Sequence, residues 1–191
     1  EFILSNALEN PSYLDQNNKD KLREFEYVLS FPPYSVKQKF DYENDKVEYN
    51  DMLEIDKWAM HKLEELKKKT TKFYDKYEFY SLFQEITYFC SVEMSSFYLD
   101  IVKDRLYCEN KKSLERRSAQ TVLTEVLRVL VRIISPVLSF TADEIWERIP
   151  DNLKSEESVH LSSWIESNPE YKNIELDKKW NKIYNLRKEV N

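Results

Sequence analysis

The sequence contains no glycine among its 191 residues, whereas an average protein has about 7%. Tight hairpin turns of the primed types depend on glycine, because their central residues need positive φ angles. Glycine-rich phosphate loops and dinucleotide-binding fingerprints need it so that the backbone can approach the ligand closely. The sequence therefore excludes those nucleotide-binding motifs and favours a fold made of helices.

Apolar residues recur every three or four positions in three long stretches, and this is the period of one helix face. The three stripes are Ile55, Ala59, Leu63, Leu66, Thr70, Phe73 and Tyr77; then Phe79, Phe83, Ile86, Cys90, Met94, Phe97 and Ile101; then Ala119, Val122, Leu123, Val126, Val129, Leu130 and Ile133. The stretches are separated by short connections, which place consecutive helices antiparallel. We therefore predict an all-α fold, an up-and-down antiparallel helical bundle.

Proline and capping signals predict where the shorter elements begin and end. Residues 20–31 carry a helical pattern that Pro32 and Pro33 end. In FTADEIW, Thr141 and Glu144 match a capping box, which predicts a helix that begins at Thr141. The apolar positions of the last predicted helix are Leu176, Trp180, Ile183 and Val190.

These signals divide the chain into three parts. Residues 1–46 hold the least regular pattern and a connector, residues 47–150 form the predicted bundle, and residues 151–191 contain a loop and a C-terminal helix that leads out of the bundle. The opening EFILSNALENPSYL has neither an initiator Met nor the basic start of a signal peptide. From this opening we expect the chain to be a piece of a longer protein.

The cysteines and the hydropathy pattern indicate a reducing compartment and no membrane contact. If one helix carries Cys90 and Cys108, their Cα atoms are about 27 Å apart at a rise of about 1.5 Å per residue. A disulfide needs Cα atoms within about 7 Å of each other. No apolar run approaches the roughly 18 residues of a membrane-spanning helix. We therefore predict two free thiols and a cytoplasmic protein.

The sequence offers no recognisable catalytic or metal-binding set. The two histidines, His61 and His160, are far apart, and neither has a partner at the spacing of a nucleophilic or metal site. Glu157 and His160 match half of a di-iron motif, which needs two such pairs on bundle helices. We predict no catalytic residue, no metal and no cofactor in this segment, and we interpret both histidines as structural.

Basic side chains are concentrated in residues 95–117, although the net charge of the chain is −6. Lys103 and Arg105 point to opposite sides of a helix, and we interpret Arg105 as structural because a cation is favourable near a helix C-terminus. The other cations surround a polar turn predicted at 108–112. We predict that they form a positive binding surface, made of Lys103, Lys111, Lys112, Arg116 and Arg117.

Three arginines line the polar face of the third long helix. On a helical wheel Arg117, Arg128 and Arg132 lie within about 60° of one another and span about 22 Å. Such a row could follow a phosphate backbone. The alternative is a solvated face, or arginines paired with acids of a neighbouring helix, which is the commoner use of a charged face. We also interpret the lysine run KLEELKKKTTK as a solvated face.

Four segments of the chain carry specific motifs: LEIDKWAMHKLEEL, FCSVEMSSFYLDIVKDRLYCE, RRSAQTVLTEVLRVLVRIISPVLSFTADEIWE and ESVHLSSW. Together they resemble the anticodon-binding region of bacterial-type isoleucyl-tRNA synthetase. The resemblance covers about 47–165 and, more loosely, 176–191. The valyl and leucyl enzymes share one pattern with this chain, which consists of SP, SF, TA, E and W. The isoleucyl branch in particular is similar in the combination of SSFYLDIVKDRLY, RRSAQT and SVHL.

The resemblance implies a bundle of the class I synthetase anticodon-binding type, which docks on the anticodon arm of isoleucine tRNA. It also implies a parent enzyme that activates isoleucine with ATP and esterifies the tRNA, so that the other domains of that synthetase are implied partners. The His-x-Gly-His box and the Lys-Met-Ser-Lys-Ser loop of that enzyme are missing here, which places ATP and catalysis in a domain outside this segment. Many bacterial members also carry a C-terminal zinc module of four cysteines, which would lie outside as well.

One stretch departs from the family pattern. Residues 31–39, FPPYSVKQK, stand where the family continues its first bundle helix, and in related enzymes that helix contacts the anticodon loop through Asn and Arg. Either this member is rearranged, or residues 1–39 do not represent the family's segment. Two alternative functions stay open: a structural or protein-interaction bundle that binds no RNA, and the equivalent domain of a valyl-type synthetase.

Overall fold

The computed structural model describes residues 41–190, which belong to one compact unit, Phe40–Asn191. Its helices are α1 (Tyr42–Asp45), α2 (Glu54–Asp75), α3 (Phe79–Tyr88), a π-helix (Phe89–Leu99), α4 (Asp100–Cys108), α5 (Leu114–Ile134), α6 (Ser139–Arg148) and α7 (Ile174–Val190), with short 3-10 turns at Tyr49–Asp51, Asp151–Leu153, Val159–Leu161 and Pro169–Tyr171. Residues 41–190 contain no strand, so the all-α prediction is confirmed. The helix predicted at 20–31 and the departure at 31–39 lie outside the described residues.

The helix α2 confirms the first apolar stripe over most of its length. The stripe is buried at Ile55, Ala59, Leu63, Leu66 and Thr70. The helix ends in a Schellman motif, in which the Glu78 N–H bonds to the Phe73 carbonyl at 2.9 Å and the Tyr77 N–H to the Tyr74 carbonyl at 3.1 Å. Tyr77 has a φ of 57°, a position that glycine usually occupies. The predicted stripe therefore extends too far, because Tyr77 lies beyond the helix.

The π-helix joins α3 and α4 into one continuous helical rod from residue 79 to residue 108. Hydrogen bonds of the i→i+5 type place more residues in each turn than an α-helix has, so the buried face changes register. The buried side chains of the rod are Leu82, Phe89, Met94, Phe97, Tyr98, Val102 and Leu106. The second predicted stripe is wrong at its beginning, since Phe79 and Phe83 are exposed.

The helix α5 packs against both α2 and the rod, which completes the up-and-down core. The Ser113 side chain caps it by accepting a hydrogen bond from the Arg116 backbone N–H at 3.3 Å. The third stripe is confirmed at Ala119, Val122, Leu123, Val126, Val129 and Ile133, all of which are buried. These three rods carry the surfaces on which any binding site has to be built.

The helix α6 begins at Ser139, so the capping-box prediction is wrong. Leu138 is its N-cap without a side-chain cap, and Thr141 already lies in the first turn. The physical reason is that the Leu138 N–H bonds to the Ile134 carbonyl at 2.7 Å, so that the turn after α5 leads directly into α6. The inner face of α6 packs into a second small core, formed by Val131, Ala142, Trp146, Ile149 and Val159.

The segment between α6 and α7 returns across α2 and buries part of a charged face. Lys62, Glu64 and Lys67 are at most 9% exposed, so the prediction of a solvated lysine run is wrong for these residues. Glu64 accepts a hydrogen bond from the Lys67 ammonium at 2.5 Å. It also accepts bonds from the Ser167 hydroxyl and the Asn168 backbone N–H, both at 2.9 Å.

The helix α7 rests on α2 and on the π-helix. The Trp58 indole N–H donates to Asp177 at 3.2 Å. The Phe97 ring lies 6.1 Å from the Trp180 ring and 5.3 Å from the Tyr184 ring, measured between centroids. The domain boundaries at 46/47 and 150/151 stay a prediction.

Candidate nucleic-acid interface

The bundle has two ends, which α5 separates by about 30 Å at a rise of about 1.5 Å per residue. At one end α4 is followed by α5, and we call it the lysine end, defined by Tyr107, Lys111 and Lys112. At the other end α2 gives way to α3 and α5 gives way to α6. The sequence-predicted cations are distributed over both ends and over the surface between them.

Local hydrogen bonds hold the turn of the lysine end. The Asn110 side chain accepts a bond from the Lys112 backbone N–H at 3.0 Å, and the Asn110 carbonyl accepts one from the Ser113 N–H at 3.0 Å. Lys111 and Lys112 are exposed. Among residues 41–190, neither ammonium has a carboxylate within ion-pair distance. These two lysines are therefore available to an anionic ligand.

Arg116 is buried under this turn and stabilises it. It is 5% exposed, and its guanidinium donates to the Glu109 carbonyl at 3.0 Å. The bond ties the first turn of α5 to the end of α4. Arg116 is therefore a structural part of the lysine end and lies beneath the predicted surface.

Tyr107 belongs to the same end, although we did not predict it as a site residue. Its side chain is 51% exposed and lies in the last turn of α4. An exposed aromatic ring that precedes two exposed lysines by four and five residues is a combination typical of single-stranded RNA binding. The sequence signal was present in LYCENKK, where the aromatic residue closely precedes the two lysines.

A buried carboxylate joins the three rods near the lysine end. Asp56 is fully buried and accepts hydrogen bonds from the Tyr98 hydroxyl at 2.7 Å and the Ser118 hydroxyl at 2.5 Å. Arg105 approaches it at 3.4 Å, so the structural interpretation of that arginine is confirmed. Burial raises the pKa of Asp56, and the donors from Ser118, Tyr98 and Arg105 oppose that shift.

Lys103 lies one to two turns before the lysine end on α4. Its ammonium forms an ion pair with Asp100 at 2.8 Å, and Arg187 of α7 bonds to the same carboxylate. Lys103 therefore differs from Lys111 and Lys112, because an RNA phosphate would have to compete with Asp100.

The helix α1 covers the first part of the predicted arginine stripe. Arg117 forms an ion pair with Asp45 at 2.7 Å, and its side chain is 14% exposed. Arg128 pairs with Glu125 at 3.3 Å and lies 5.8 Å from the centre of the Tyr42 ring. Two of the three arginines are therefore paired with acids, as the alternative interpretation predicted. The acids come from the connector before α2 and from α5 itself.

Arg132 lies at the opposite end from the lysines. Its guanidinium is 5.1 Å from the centre of the Trp146 ring and donates to the Arg128 carbonyl at 3.0 Å. Burial lowers its pKa, and Arg128 lowers it further. It lines an open cavity of about 330 Å³ together with Ser135, Pro136, Val159, His160, Ser162, Ser163 and Trp164.

The structure thus separates the predicted cations into groups with different surroundings. Lys111 and Lys112 are free at the lysine end, and Lys103 is nearby but paired. Arg117 and Arg128 are paired along α5, while Arg132 is on the far side. Two of the three arginines that the wheel placed in one row are paired with carboxylates, and the RNA-binding role of the row stays a prediction.

One cluster has the composition of a metal site but contains its own cation. Ligand atoms of His61, Glu65 and Asp177 lie within 4.8 Å of one another. The Lys62 ammonium is 3.0 Å from Glu65, 2.9 Å from Asp177 and 3.3 Å from Glu93. Burial lowers the pKa of Lys62, but the three carboxylates outweigh this and raise it. The cluster is therefore an ion network that fastens α7 to α2.

The His61 ring is part of the same attachment. It is 2% exposed, and its Nδ1 accepts a hydrogen bond from the Asn173 backbone N–H at 3.0 Å. Burial lowers the pKa of His61, and the nearby carboxylates of Glu65 and Asp177 oppose the shift. The structural interpretation of this histidine is confirmed, whereas His160 is exposed beside the cavity of Arg132.

Comparison with known proteins identifies the family. Residues 56–191 match the family model described as the anticodon-binding domain of tRNA ligase. The chain is similar to isoleucine–tRNA ligases from Petrotoga mobilis (50% identical over 151 residues, 79% of this chain), Geobacter sulfurreducens (48% over 151 residues, 79%) and Kosmotoga olearia (46% over 146 residues, 76%). In each case the match covers 16% of the relative's length.

The matched range begins in the first turn of α2 and takes in all three rods, both ends of the bundle and α7. The family match and the relatives agree with the all-α bundle and with the motifs in the sequence. This chain belongs to the family of anticodon-binding domains of tRNA ligases.

Proposed function

We propose that the chain is the module of an isoleucyl-tRNA synthetase that binds the anticodon arm of isoleucine tRNA. The observation that carries the proposal is the family match over residues 56–191, together with relatives that are named isoleucine–tRNA ligases and are 46–50% identical. The longer enzyme would charge isoleucine tRNA with isoleucine, using ATP. Relatives of the isoleucyl type favour this assignment over the equivalent domain of a valyl-type enzyme.

The lysine end has the chemistry that a loop of unpaired RNA requires. Free ammonium groups at Lys111 and Lys112 can bind phosphates and release their counterions. The exposed Tyr107 ring offers a surface on which an unpaired base can stack. The net charge of −6 does not oppose this binding, because a ligand responds to the local field.

The remaining candidates have more limited roles in this proposal. Lys103 joins the RNA surface only if a phosphate displaces Asp100, and Arg116 holds the turn in place. Arg117 and Arg128 stabilise the packing of α1 on α5. Arg132 lies too far from the lysine end to contact the same loop of RNA.

In this proposal, catalysis takes place in another domain of the longer enzyme. ATP would bind in the catalytic domain of the longer synthetase, and zinc would bind in a C-terminal module of that enzyme. The other domains of the synthetase are then partners of this module, and the cytoplasm is its location. Each of these statements follows from the proposed membership in a longer isoleucyl enzyme.

The test is a charge reversal at the lysine end. The double variant Lys111→Glu with Lys112→Glu should lower the affinity for isoleucine tRNA about tenfold at low salt, because each reversal removes a phosphate contact, and the slope of log affinity against log salt should fall by about two. The matched control is Lys178→Glu with Lys182→Glu, which reverses two exposed lysines on α7. Filter binding measures both variants.

Specificity needs a second comparison in the same assay. A transcript of isoleucine tRNA with a changed anticodon should bind more weakly to the wild-type chain, and that difference should shrink in the double variant. If the double variant binds like the wild type while its circular dichroism is unchanged, the lysine end is not the RNA surface. Equal loss in the control variant would indicate nonspecific charge effects and would also contradict the proposal.

The second candidate function is a bundle that braces other domains and binds no RNA. The paired states of Arg117 and Arg128 favour it, because they reduce the positive surface of α5. It predicts no binding of tRNA at low salt. The filter-binding experiment therefore separates the two functions directly.

A further inference from the structure

The cavity at Arg132 has the side chains of an anion-binding site. It is open to solvent and lies at the end of the bundle opposite the lysines. Its polar lining consists of one guanidinium, one imidazole, one indole and three serine hydroxyls, and no carboxylate lines it. Acidic residues outnumber basic ones in this chain, 35 against 29, yet the wall of this cavity carries only basic and neutral groups. The local field in the cavity therefore favours a negatively charged ligand.

Arg132 supplies a positive charge that has no carboxylate partner. Within residues 41–190, five arginines have a carboxylate at ion-pair distance, whereas Arg132 and Arg116 have none. Arg116 lies under the lysine end, where a backbone carbonyl accepts its hydrogen bond. Glu125 favours the charge of Arg132 from a distance, but that carboxylate is already bound by Arg128 and by the Tyr42 hydroxyl. An anion in the cavity would therefore stabilise a partly buried guanidinium that the fold leaves uncompensated.

The guanidinium of Arg132 is held in position by the protein itself. It lies 5.1 Å from the centre of the Trp146 ring, and one of its N–H groups donates to the Arg128 carbonyl at 3.0 Å. An arginine has five N–H donors, and the others of Arg132 have no acceptor in the described part of the chain. A guanidinium that is fixed in this way loses little conformational freedom when a ligand binds, and this favours affinity.

The 3-10 turn at Val159–Leu161 supplies further donors to the cavity. Val159 is buried in the second small core, and the Ser158 hydroxyl ties the turn to α6 by donating to Asp143 at 2.7 Å. The His160 ring and the Ser163 hydroxyl have no hydrogen-bond partner among residues 41–190, so both are available to a ligand. The other two hydroxyls of the lining already donate to backbone carbonyls.

A phosphate group matches this set of donors. The fork of a guanidinium binds two oxygens of one phosphate, and an imidazole and a hydroxyl can donate to the remaining oxygens. Arg132 is about 30 Å from the lysine end, so an RNA whose loop binds at the lysines presents its stem at this distance. Proteins recognise double-stranded RNA mainly through its shape, its phosphates and its 2′-hydroxyls. The donors of this cavity are suited to that kind of contact.

We propose that the cavity lined by Arg132, His160 and Ser163 binds a backbone phosphate in the double-stranded stem of the same tRNA whose anticodon loop binds at the lysine end. This inference rests on the proposed function, because it requires the chain to bind tRNA. The contact adds affinity and fixes the orientation of the stem without reading a base. It gives Arg132 a role that differs from those of Arg117 and Arg128, whose carboxylate partners oppose contact with a phosphate.

The first test places a negative charge in the cavity and leaves Arg132 on the Trp146 ring. Ser163→Asp should lower the affinity for isoleucine tRNA about three- to tenfold at low salt, and the slope of log affinity against log salt should fall by about one. Ser163→Asn is the uncharged control, and Ser155→Asp adds the same charge at an exposed loop position. Both controls should stay within about twofold of the wild type in filter binding. An unchanged affinity in Ser163→Asp, or an equal loss in Ser155→Asp, would overturn the proposal.

Ethylation interference then locates the phosphate on the tRNA. In the wild type, the ethylated phosphates that prevent binding should form two groups, one in the anticodon loop and one in the stem. Ser163→Asp should lose only the stem group, whereas the double variant Lys111→Glu with Lys112→Glu should lose only the loop group. A wild-type pattern confined to the loop would overturn the cavity proposal and leave the proposed function standing. A chain that binds no tRNA would contradict both.

A titration with inorganic phosphate separates an RNA site from a site for a small anion. The side-chain Nε–H resonance of Arg132, assigned by its loss in Arg132→Lys, should shift saturably with phosphate in the wild type and should not shift in Ser163→Asp. The absence of any shift in the wild type would overturn the anion site. A saturable shift combined with normal tRNA binding by Ser163→Asp would show that the cavity takes a small phosphate, and this would contradict the assignment to the tRNA stem.

Discussion

The lysine end and the opposite end of the bundle lie on the same helices but differ in surface chemistry. We call the opposite end the aromatic end, after its exposed rings Tyr77, Phe79, Phe83, Phe140 and Trp164. At the lysine end Tyr107 and Leu114 are about half exposed, and the ammonium groups of Lys111 and Lys112 have no carboxylate within ion-pair distance among residues 41–190. At the aromatic end the rings contact one another and still face outward. The difference teaches that the turns at the two ends of a bundle can carry different surface chemistry on the same helices.

The largest expected effect tests the buried junction beneath the lysine end. Asp56→Ala should lower the free energy of unfolding by about 3–5 kcal/mol, because it leaves Arg105 and two hydroxyl groups without their buried acceptor. Urea unfolding followed by circular dichroism measures the change. Asp143→Ala is the matched control on α6, where Ser158 donates to the carboxylate at 2.7 Å near the surface, and it should cost about 1 kcal/mol or less. Equal losses of unfolding free energy in the two variants would contradict the claim that Asp56 stabilises the fold more than a carboxylate near the surface does.

A smaller effect is expected at the aromatic end. Trp164→Ala should lower the free energy of unfolding by about 1–2 kcal/mol, because the indole loses its contact with Tyr74 and its hydrogen bond to Thr71 at 3.0 Å. Phe140→Ala should change the same quantity by less than about 0.5 kcal/mol, since that ring is 94% exposed. A large loss at Phe140 in the 191-residue chain would show that the aromatic end is stabilised by packing within the chain.

The attachment of α7 should depend on pH through His61. Its pKa is lowered in the folded chain, so the unfolded chain takes up the proton first as the pH falls below about 6.5. Stability is therefore complete above that pH and decreases as the pH falls towards the folded pKa. Protonation also removes the Nδ1 acceptor of the Asn173 N–H. Urea midpoints between pH 5 and 8 measure this dependence, and His61→Gln should flatten it; an unchanged slope would contradict the assignment.

The smallest effect is expected along the stripe between the two ends. Arg128→Gln should leave the affinity for isoleucine tRNA within about twofold of the wild type, because Arg128 is already paired with Glu125. The same filter-binding assay measures it beside the lysine variants. A loss as large as that of the lysine double variant would restore α5 as an RNA surface and would remove the distinction between the stripe and the lysine end.

Period and spacing were sufficient to predict the three rods. The first stripe is buried from Ile55 to Thr70 and the third at every position except the partly buried Leu130, because α2 and α5 keep a constant helical register. The second stripe failed at Phe79 and Phe83, since a π-helix changes the register and leaves no clear signal in an apolar pattern. The predicted start of α6 was wrong because the turn after Pro136 determines where that helix begins. Thr141 matches a capping box in the sequence but does not form one in the structure.

The candidate site was predicted in part. The polar turn with Lys111 and Lys112 could be read directly from the sequence. The pairing of Arg117 could not, because it depends on where the connector folds over α5 and brings Asp45 to it. The burial of Glu64 and Lys67 was missed for the same reason, since the segment that covers them is about 100 residues away in the chain. Contacts between distant segments leave no periodic pattern of apolar residues in the local sequence.

Photo-crosslinking to RNA tests the central claim most directly. p-Benzoyl-phenylalanine placed at Tyr107 or, in a separate protein, at Phe83 is irradiated with bound isoleucine tRNA, and the modified nucleotide is mapped by primer extension. We expect crosslinks from position 107 in the anticodon loop and none from position 83. Crosslinks to the anticodon loop from position 83, with none from position 107, would contradict the assignment of RNA to the lysine end.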